Sequence, residues 1–376
     1  MKNLYKAIQS RIVGLNEGVQ GHALRRLNNL SGFICGMIRK GSSSLPDIGS
    51  GLPQDINAAS KTTAAKRFVS HEGTNYQLHF LPYLMAFLTG ILAFTCLQAG
   101  IYLVIDGSQV GKDNGALMIS LVWRGRGIPI VWTTKLGGKG HFKSEDHDSL
   151  LRYAIEILAP LLPDNVSVTL LGDGEFDGIE LQKICLDAGW DYVLRTARNT
   201  LFYEDGDEFQ AKNLALEQNQ DLLFIPHLEF TKERFKYVNL VYWHDTNKYE
   251  DPIILISNLW CPQTIIKHYG FRYSIECLFK DLKSTSFNIH KTRLKDPKEV
   301  SNLLIIAALA FLFLTILAIQ YDEPKYRKKV QRVRKNVKVL SFFSFAYKLV
   351  DYFIQYQINF DFDLQFSFLF QRTNST

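Results

Sequence analysis

No two of the five cysteines (Cys35, Cys96, Cys185, Cys261, Cys277) form a C-x-x-C pair, and their number is odd. This argues against a zinc knuckle or a disulfide framework, so a reducing cytoplasm is the expected compartment. No low-complexity tract suggests a disordered chain, and no internal repeat is visible. The opening residues, MKNLYKAIQSRIVG, lack an apolar core followed by a cleavage site, so no secretory leader is expected. At 376 residues, 47% hydrophobic and 21% charged, the chain has room for two or three structural units with packed cores.

Acid is scarce at two places. Residues 1–70 carry ten Lys/Arg against three Asp/Glu, a balance of +7, and PKYRKKVQRVRKNVK (324–338) carries eight basic residues and no acid. The net charge of +6 therefore leaves −9 for the remainder. Basic flanks around an acidic middle suit a protein that grips a polyanion and gathers carboxylates at its centre, although charge runs also occur as plain solvated surface. Two apolar runs, FLPYLMAFLTGILAFTCLQAG (80–100) and LLIIAALAFLFLTILAI (303–319), approach the ~17 to 25 residues that span a bilayer. A polytopic membrane protein is thus the rival reading. Pro82 and Gly90 break the first run, neither run has an aromatic belt at both ends, and helices buried on all sides are equally apolar; core helices are expected.

Along the chain, residues 1–78 read as an N-terminal helical DNA-binding region. ASKTTAAKRFVS is expected as a short helix capped by Ser60, either part of a helix-turn-helix unit with Lys61, Lys66 and Arg67 facing phosphates or a plain helical cap. Residues 79–199 follow as the first part of an α/β core. GIYLVIDGSQV is a strand ending on an acid, and two more strands turn at Gly125 and Gly127. DSLLRYAIEILAPLL is a helix with Asp148 as cap, VSVTLLGDGEFDG a strand ending on an acid, IELQKICLDAG a helix and WDYVLRTA a strand. That order describes a mixed sheet with helices on its faces and matches a ribonuclease-H-like arrangement. Residues 200–258 read as a β-rich insertion, 259–322 as the rest of the core with a buried helix, and 323–376 as a basic and aromatic tail in which FDFDLQFSFLFQ alternates like an edge strand.

The chemistry concentrates in YGFRYSIECLFKDLK (269–283). At about 100° per residue Tyr269, Arg272, Glu276 and Lys283 share an arc of roughly 60°, beside an apolar face of Phe271, Ile275, Leu278, Phe279 and Leu282 that docks on the sheet. Asp106 and Asp173 each close a predicted strand and precede a glycine, which lets the chain leave the sheet there. Two strand-end aspartates converging with one helical glutamate, without Cys or His, form a hard-oxygen site suited to Mg²⁺ or Mn²⁺. Asp113, Glu175 and Asp177 lie nearby but do not directly follow an apolar strand. GGKGHFKSEDHD, with His141, Asp146, His147 and Asp148, reads as a polar loop that touches DNA through Lys139 and Lys143. Ser108 has no nucleophile-elbow context.

Asp106 in VIDGSQV, Asp173 in LLGDGEF and the pattern Y-x-x-R-x-x-x-E-x-x-x-x-x-x-K at Tyr269, Arg272, Glu276 and Lys283 resemble the DDE transposases of bacterial insertion sequences, specifically the insertion-sequence-four family. The resemblance covers about residues 20 to 320 and includes the β-rich insertion. It implies that Asp106, Asp173 and Glu276 hold two Mg²⁺, with Mn²⁺ able to substitute. Water then attacks a phosphodiester at the transposon end, and the freed 3′-hydroxyl attacks the opposite strand or target DNA. It further implies that Arg272, Lys283 and Tyr269 contact phosphates and that Trp243 or Trp260 in the insertion stacks a flipped base. A homodimer on double-stranded DNA, with no membrane partner, and a nucleoid-associated location in the bacterial cytoplasm follow from the same resemblance. A non-catalytic, end-binding descendant is the alternative within it.

Overall fold

The computed structural model describes residues 2–95, 100–138, 142–163, 166–218, 220–247, 250–331, 340–364 and 366. Five helices open the chain: α1 (Lys2–Gly14), α2 (Gly21–Lys40), α3 (Leu45–Gly49), α4 (Ala58–Ser70) and α5 (Tyr76–His79). The apolar α6 (Leu81–Thr95) leads into the sheet. Asn57, and not Ser60, caps α4: its side chain accepts the Ser60 amide at 2.8 Å, because the extended residue before the helix is the one that can reach the unpaired N–H groups. Of the cations assigned to phosphates, Lys61 donates to the Leu52 carbonyl at 3.0 Å and Lys66 to the Glu299 carboxylate at 2.6 Å.

The strands are β1 (Ile101–Gln109), β2 (Asn114–Trp123), β3 (Arg126–Leu136), β4 (Val168–Gly172), β5 (Asp191–Arg195), β6 (Leu201–Glu204), β7 (Asp207–Gln210), β8 (Leu222–Phe230), β9 (Phe235–Trp243) and β10 (Ile253–Ser257). Between β3 and β5 lie α7 (Ser144–Leu158) and α8 (Ile179–Asp187). All ten strands form one sheet in the order β3-β2-β1-β4-β5-β10-β9-β8-β6-β7. In its first half β2 runs antiparallel to β1 and β3, while β1, β4 and β5 are parallel. This is the ribonuclease-H-like core. The insertion strands extend the same sheet, with β10 antiparallel to β5.

Three local expectations are corrected. The β2–β3 turn uses Arg124 and Gly125, both at positive φ, as a two-residue hairpin requires. Gly127 instead lies within β3, where an added Cβ would stand 3.1 Å from the Ser274 carbonyl; its bareness lets a later helix approach the sheet. Helix α7 begins four residues before Asp148, and its first turn is closed by Asp146, which accepts the Lys143 amide at 2.9 Å and the Lys135 amine at 2.6 Å. His147 is therefore a buried helical residue against Phe176, not part of a polar loop. Lys139 and His141 lie outside the described residues.

After the sheet come α9 (Pro262–Tyr269), α10 (Tyr273–Lys280), α11 (Pro297–Gln320), α12 (Pro324–Val330) and α13 (Phe342–Gln355). By length and composition α11 is the one described helix that qualifies to cross a membrane, yet 94% of its apolar window is buried inside the protein. It packs against α2, α4, β3 and α13, and its Asn302 donates to the Val69 carbonyl at 2.8 Å. The first half of the basic run, 324–331, forms α12 and the residue after it, while 332–338 lie outside the described residues. Residues 358–363 form no strand, and Phe360 and Phe362 are buried against Phe353 and Phe313; the rest of the alternating stretch, 365 and 367–371, lies outside the described residues.

One buried histidine makes the N-terminal unit acid-sensitive. His79 is 4% exposed against Phe68, and burial depresses its pKa to about 4, partly offset by the Asn75 carbonyl. The folded state therefore binds fewer protons than the unfolded chain between the ordinary histidine value of ~6.5 and about 4. Stability is full above that window and falls as pH drops through it, by about 3 kcal/mol at most. Thermal unfolding from pH 7 to 4 should show this loss reduced in His79→Gln; parallel profiles for the two proteins would remove His79 from the account.

Candidate active site

The β1–β4 register pairs Val104 with Leu171, and the β4–β5 register pairs Leu171 with Val193. Carried two residues further, it aligns Asp106, Asp173 and Arg195 in one row across adjacent strands, ~4.8 Å apart per strand and on one sheet face. Asp106 does not end its strand. β1 continues through Gln109 because β2 still pairs with it, whereas β4 stops at Gly172, so Asp106 clears its parallel neighbour while remaining in the sheet. It is 4% exposed and accepts the Gly107 amide at 2.8 Å. Asp173 sits in the turn after β4, its carboxylate accepting the Glu175 amide at 3.1 Å and its carbonyl the Phe176 amide at 3.0 Å.

Opposite this row, the helical segment is not the uniform helix assumed from the sequence. α9 passes through a 3₁₀ turn at Gly270–Arg272 into α10, which ends in a π turn at Asp281–Thr285. Tighter and looser winding break the 100° projection. Tyr269 turns inward to 9% exposure, and Lys283 swings to β1, where its amine donates to Ser108 Oγ at 2.6 Å. Ser108 is two residues beyond Asp106 and shares its face. The π turn is tied to β3 by Arg126 and Asp281, 3.2 Å apart, and burial pushes the Asp281 carboxyl up to about 6 against the pull of Arg126 and Lys280. Of the apolar face, Ile275, Leu278, Phe279 and Leu282 are buried, while Phe271 is half-buried against the Tyr102 ring.

Arg272 is the hub. Its guanidinium donates to Glu276, lies 3.8 Å from Asp106 and sits 5.8 Å from the centre of the Tyr269 ring. Burial would lower its pKa, yet Tyr269, Glu276, Asp106 and Asp173 together raise it above the ordinary value. All three predicted acids thus bear on one cation. Burial raises the Tyr269 pKa, with Arg272 and Arg195 opposing, so its phenol keeps its proton. A cleft of about 410 Å³ is lined by Tyr269, Arg272, Glu276, Arg195 and Trp243. A second, of about 290 Å³, joins Asp173 to Arg195 and Arg198.

Arg195 is the residue the sequence reading missed; its signal was a basic residue closing the strand next to Asp173. The two tryptophans separate. Trp243 pairs with Ile253 at the Arg195 end of the sheet, whereas Trp260 follows β10 where Ser257 pairs with Val193, toward the opposite strand ends, and packs on His227.

Among the described residues, no group of three His, Cys, Asp or Glu side chains stands ready to hold one metal ion. The donor chemistry nevertheless fits a hard cation: two carboxylates in register, with Glu276 facing them through the guanidinium that balances their charge.

No curated protein matches the chain in sequence. Among solved structures, endonuclease V of Ciona intestinalis bound to an inosine-containing 24mer DNA is similar at 12% identity over 50% of this chain and 89% of its own, with a TM-score of 0.30. Human ENDOV gives 11% identity, 63% and 98% coverage and a TM-score of 0.24. Aquifex aeolicus Argonaute gives 12% identity, 55% and 28% coverage and 0.26. At such scores none of their chemistry transfers to this chain. Residues 145–313 match the family described as the transposase DDE domain, a stretch that contains Asp173, Tyr269, Arg272, Glu276 and Lys283 and begins after Asp106. Over that stretch the chain is similar to DDE transposases, which supports a DNA-cleaving enzyme as its general class.

Proposed function

We propose that the chain is the transposase of a bacterial insertion sequence, of the insertion-sequence-four type. In this reading it binds terminal inverted repeats and performs Mg²⁺-dependent strand cleavage and strand transfer, as a homodimer on DNA in the nucleoid-associated cytoplasm. The observation that carries the reading is the strand-aligned row Asp106, Asp173, Arg195 facing Glu276 through Arg272. Asp106, Asp173 and Glu276 would hold the metal. Mg²⁺ or Mn²⁺, when bound, supplies Lewis-acid activation of the attacking oxygen and stabilisation of the leaving one.

The chain's own residues do the rest. Arg272 offers a planar fork and Lys283 a point charge to phosphates on either side of the scissile bond, with Ser108 holding the lysine beside Asp106. Arg195 meets the backbone at the Asp173 end. Tyr269, kept protonated by burial, donates a hydrogen bond to a phosphate oxygen. Trp243, lining the cleft, is the better placed of the two tryptophans to stack an unpaired base. Residues 1–78 bind DNA in this scheme, 79–199 and 259–322 form the catalytic core, and 200–258 serve as the insertion.

The test is cleavage of a labelled fragment carrying the inverted repeats that flank the gene, in Mg²⁺, in Mn²⁺ and in EDTA. Cutting at the repeat ends with either metal and none in EDTA is the expected result. Binding at low salt without cutting in either metal would replace the proposal with a DNA-end-binding descendant.

A further inference from the structure

The basic N-terminal region has a cleft of its own, away from the carboxylates. It measures about 300 Å³, lies between α2 and α4, and is lined by Arg25, Arg26 and Arg67 with His22, His71 and Thr74. No acidic side chain lines it. Among the described residues, none of the three arginines is paired with a carboxylate: Arg26 reaches the Gly73 carbonyl and the His71 ring, both at 3.4 Å. Lys66 and Arg126, by contrast, are held by Glu299 and Asp281. A second observation is independent of charge. Thr74 is 1% exposed, and its hydroxyl, buried at the cleft wall, has no hydrogen-bond partner. A buried hydroxyl without a partner is destabilising, a cost relieved when a ligand oxygen accepts from it.

We propose that this cleft binds the sugar-phosphate backbone of duplex DNA, taking adjacent phosphates of one strand between Arg25 and Arg67 with Thr74 in its wall. The inference rests on the reading above that the chain acts on DNA. It keeps Arg67 from the sequence reading, adds Arg25, and leaves out Lys61 and Lys66, which are held by the Leu52 carbonyl and Glu299. The cleft also lies apart from the scissile bond. The C-cap of α2, Gly41, accepts from the Asn288 side chain at 3.0 Å, close to Lys283, and Arg25 is sixteen residues earlier on the same helix, about 25 Å away at ~1.5 Å per residue. That is the length of some seven base pairs at ~3.4 Å each.

Arg25 and Arg67 are exposed, so Arg25→Gln/Arg67→Gln should fold normally, which a thermal melt checks. Duplex binding is then measured by fluorescence anisotropy across a salt series and by hydroxyl-radical footprinting, with Lys66→Gln as control. The double variant should bind at least about tenfold more weakly, with a log K against log salt slope shallower by about 2, the value for two lost phosphates. Its footprint should lose one patch and keep the patch at the cleavage site. Thr74→Val should weaken binding severalfold without lowering the melting temperature. Unchanged affinity and slope in the double variant would overturn the proposal. So would calorimetric binding of inorganic phosphate that the double variant abolishes while duplex affinity stays the same, which would make the cleft a small-anion site. Wild type that binds but never cuts, with the slope change intact, would leave the cleft standing and remove the catalytic reading.

Discussion

Glu276→Gln abolishes strand cleavage, by about 10³-fold or more, while leaving folding and duplex binding close to wild type. The asymmetry follows from where the residue sits. Its side chain is 41% exposed, and its ion pair with Arg272 joins residues four apart on one helical segment, so the pair contributes little to stability. The amide retains the shape and one acceptor, which keeps Arg272 near its position. What the amide lacks is the negative charge that, in the proposed mechanism, Asp106 and Asp173 would need as a third partner to hold a divalent cation. A loss of 10³ corresponds to about 4 kcal/mol of transition-state stabilisation. Single-turnover cleavage of a repeat-end substrate, together with anisotropy and a melting curve, separates the three quantities. Cleavage within tenfold of wild type would remove Glu276 from the reaction, and a large fall in melting temperature would make its role structural.

Why the acids were legible and their arrangement was not is a matter of range. Asp106 and Asp173 stand out because apolar strand residues lead directly into each, and the helix signature because four polar residues recur on one side of an apolar stripe. Those are local patterns with fixed periods. The mixed sheet followed from the order of strands and helices for the same reason. Arg195 was invisible because its meaning comes from the β4–β5 register, a pairing between segments some twenty residues apart. The π turn that redirects Lys283 is held by tertiary anchors, Arg126 to Asp281 and Lys283 to Ser108, that no single-helix projection contains. Charge, likewise, marked the N-terminal region as basic, but which cations face outward was decided by partners 9 and 233 residues away.

Gly51→Ala destabilises the N-terminal unit by about 3 kcal/mol or more, at or above the upper end of overpacking costs, and lowers the melting temperature by several degrees. An added Cβ at Gly51 would stand 2.0 Å from the Gly32 carbonyl oxygen and 2.3 Å from the Gly36 nitrogen, both backbone atoms of α2 that no rotamer change can move aside. The contact is reciprocal: a Cβ at Gly36 would meet the Ile48 carbonyl oxygen at 2.2 Å, and one at Gly49 the Lys61 carbonyl of α4 at 2.6 Å. Bare backbone therefore sets the spacing of α2, the 47–52 segment and α4, and with it the spacing of Arg25 and Arg67 across their cleft. Gly14→Ala is the control, since nothing lies within 4 Å of its Cβ position at the end of α1. It should leave stability unchanged or raise it by up to ~1 kcal/mol. If Gly51→Ala melts with wild type, the close approach is relieved by a small shift and the glycines do not set the spacing. If it melts early, duplex affinity should fall with it even though no phosphate contact was touched, because the two arginines reach the same backbone only while α2 and α4 keep their distance.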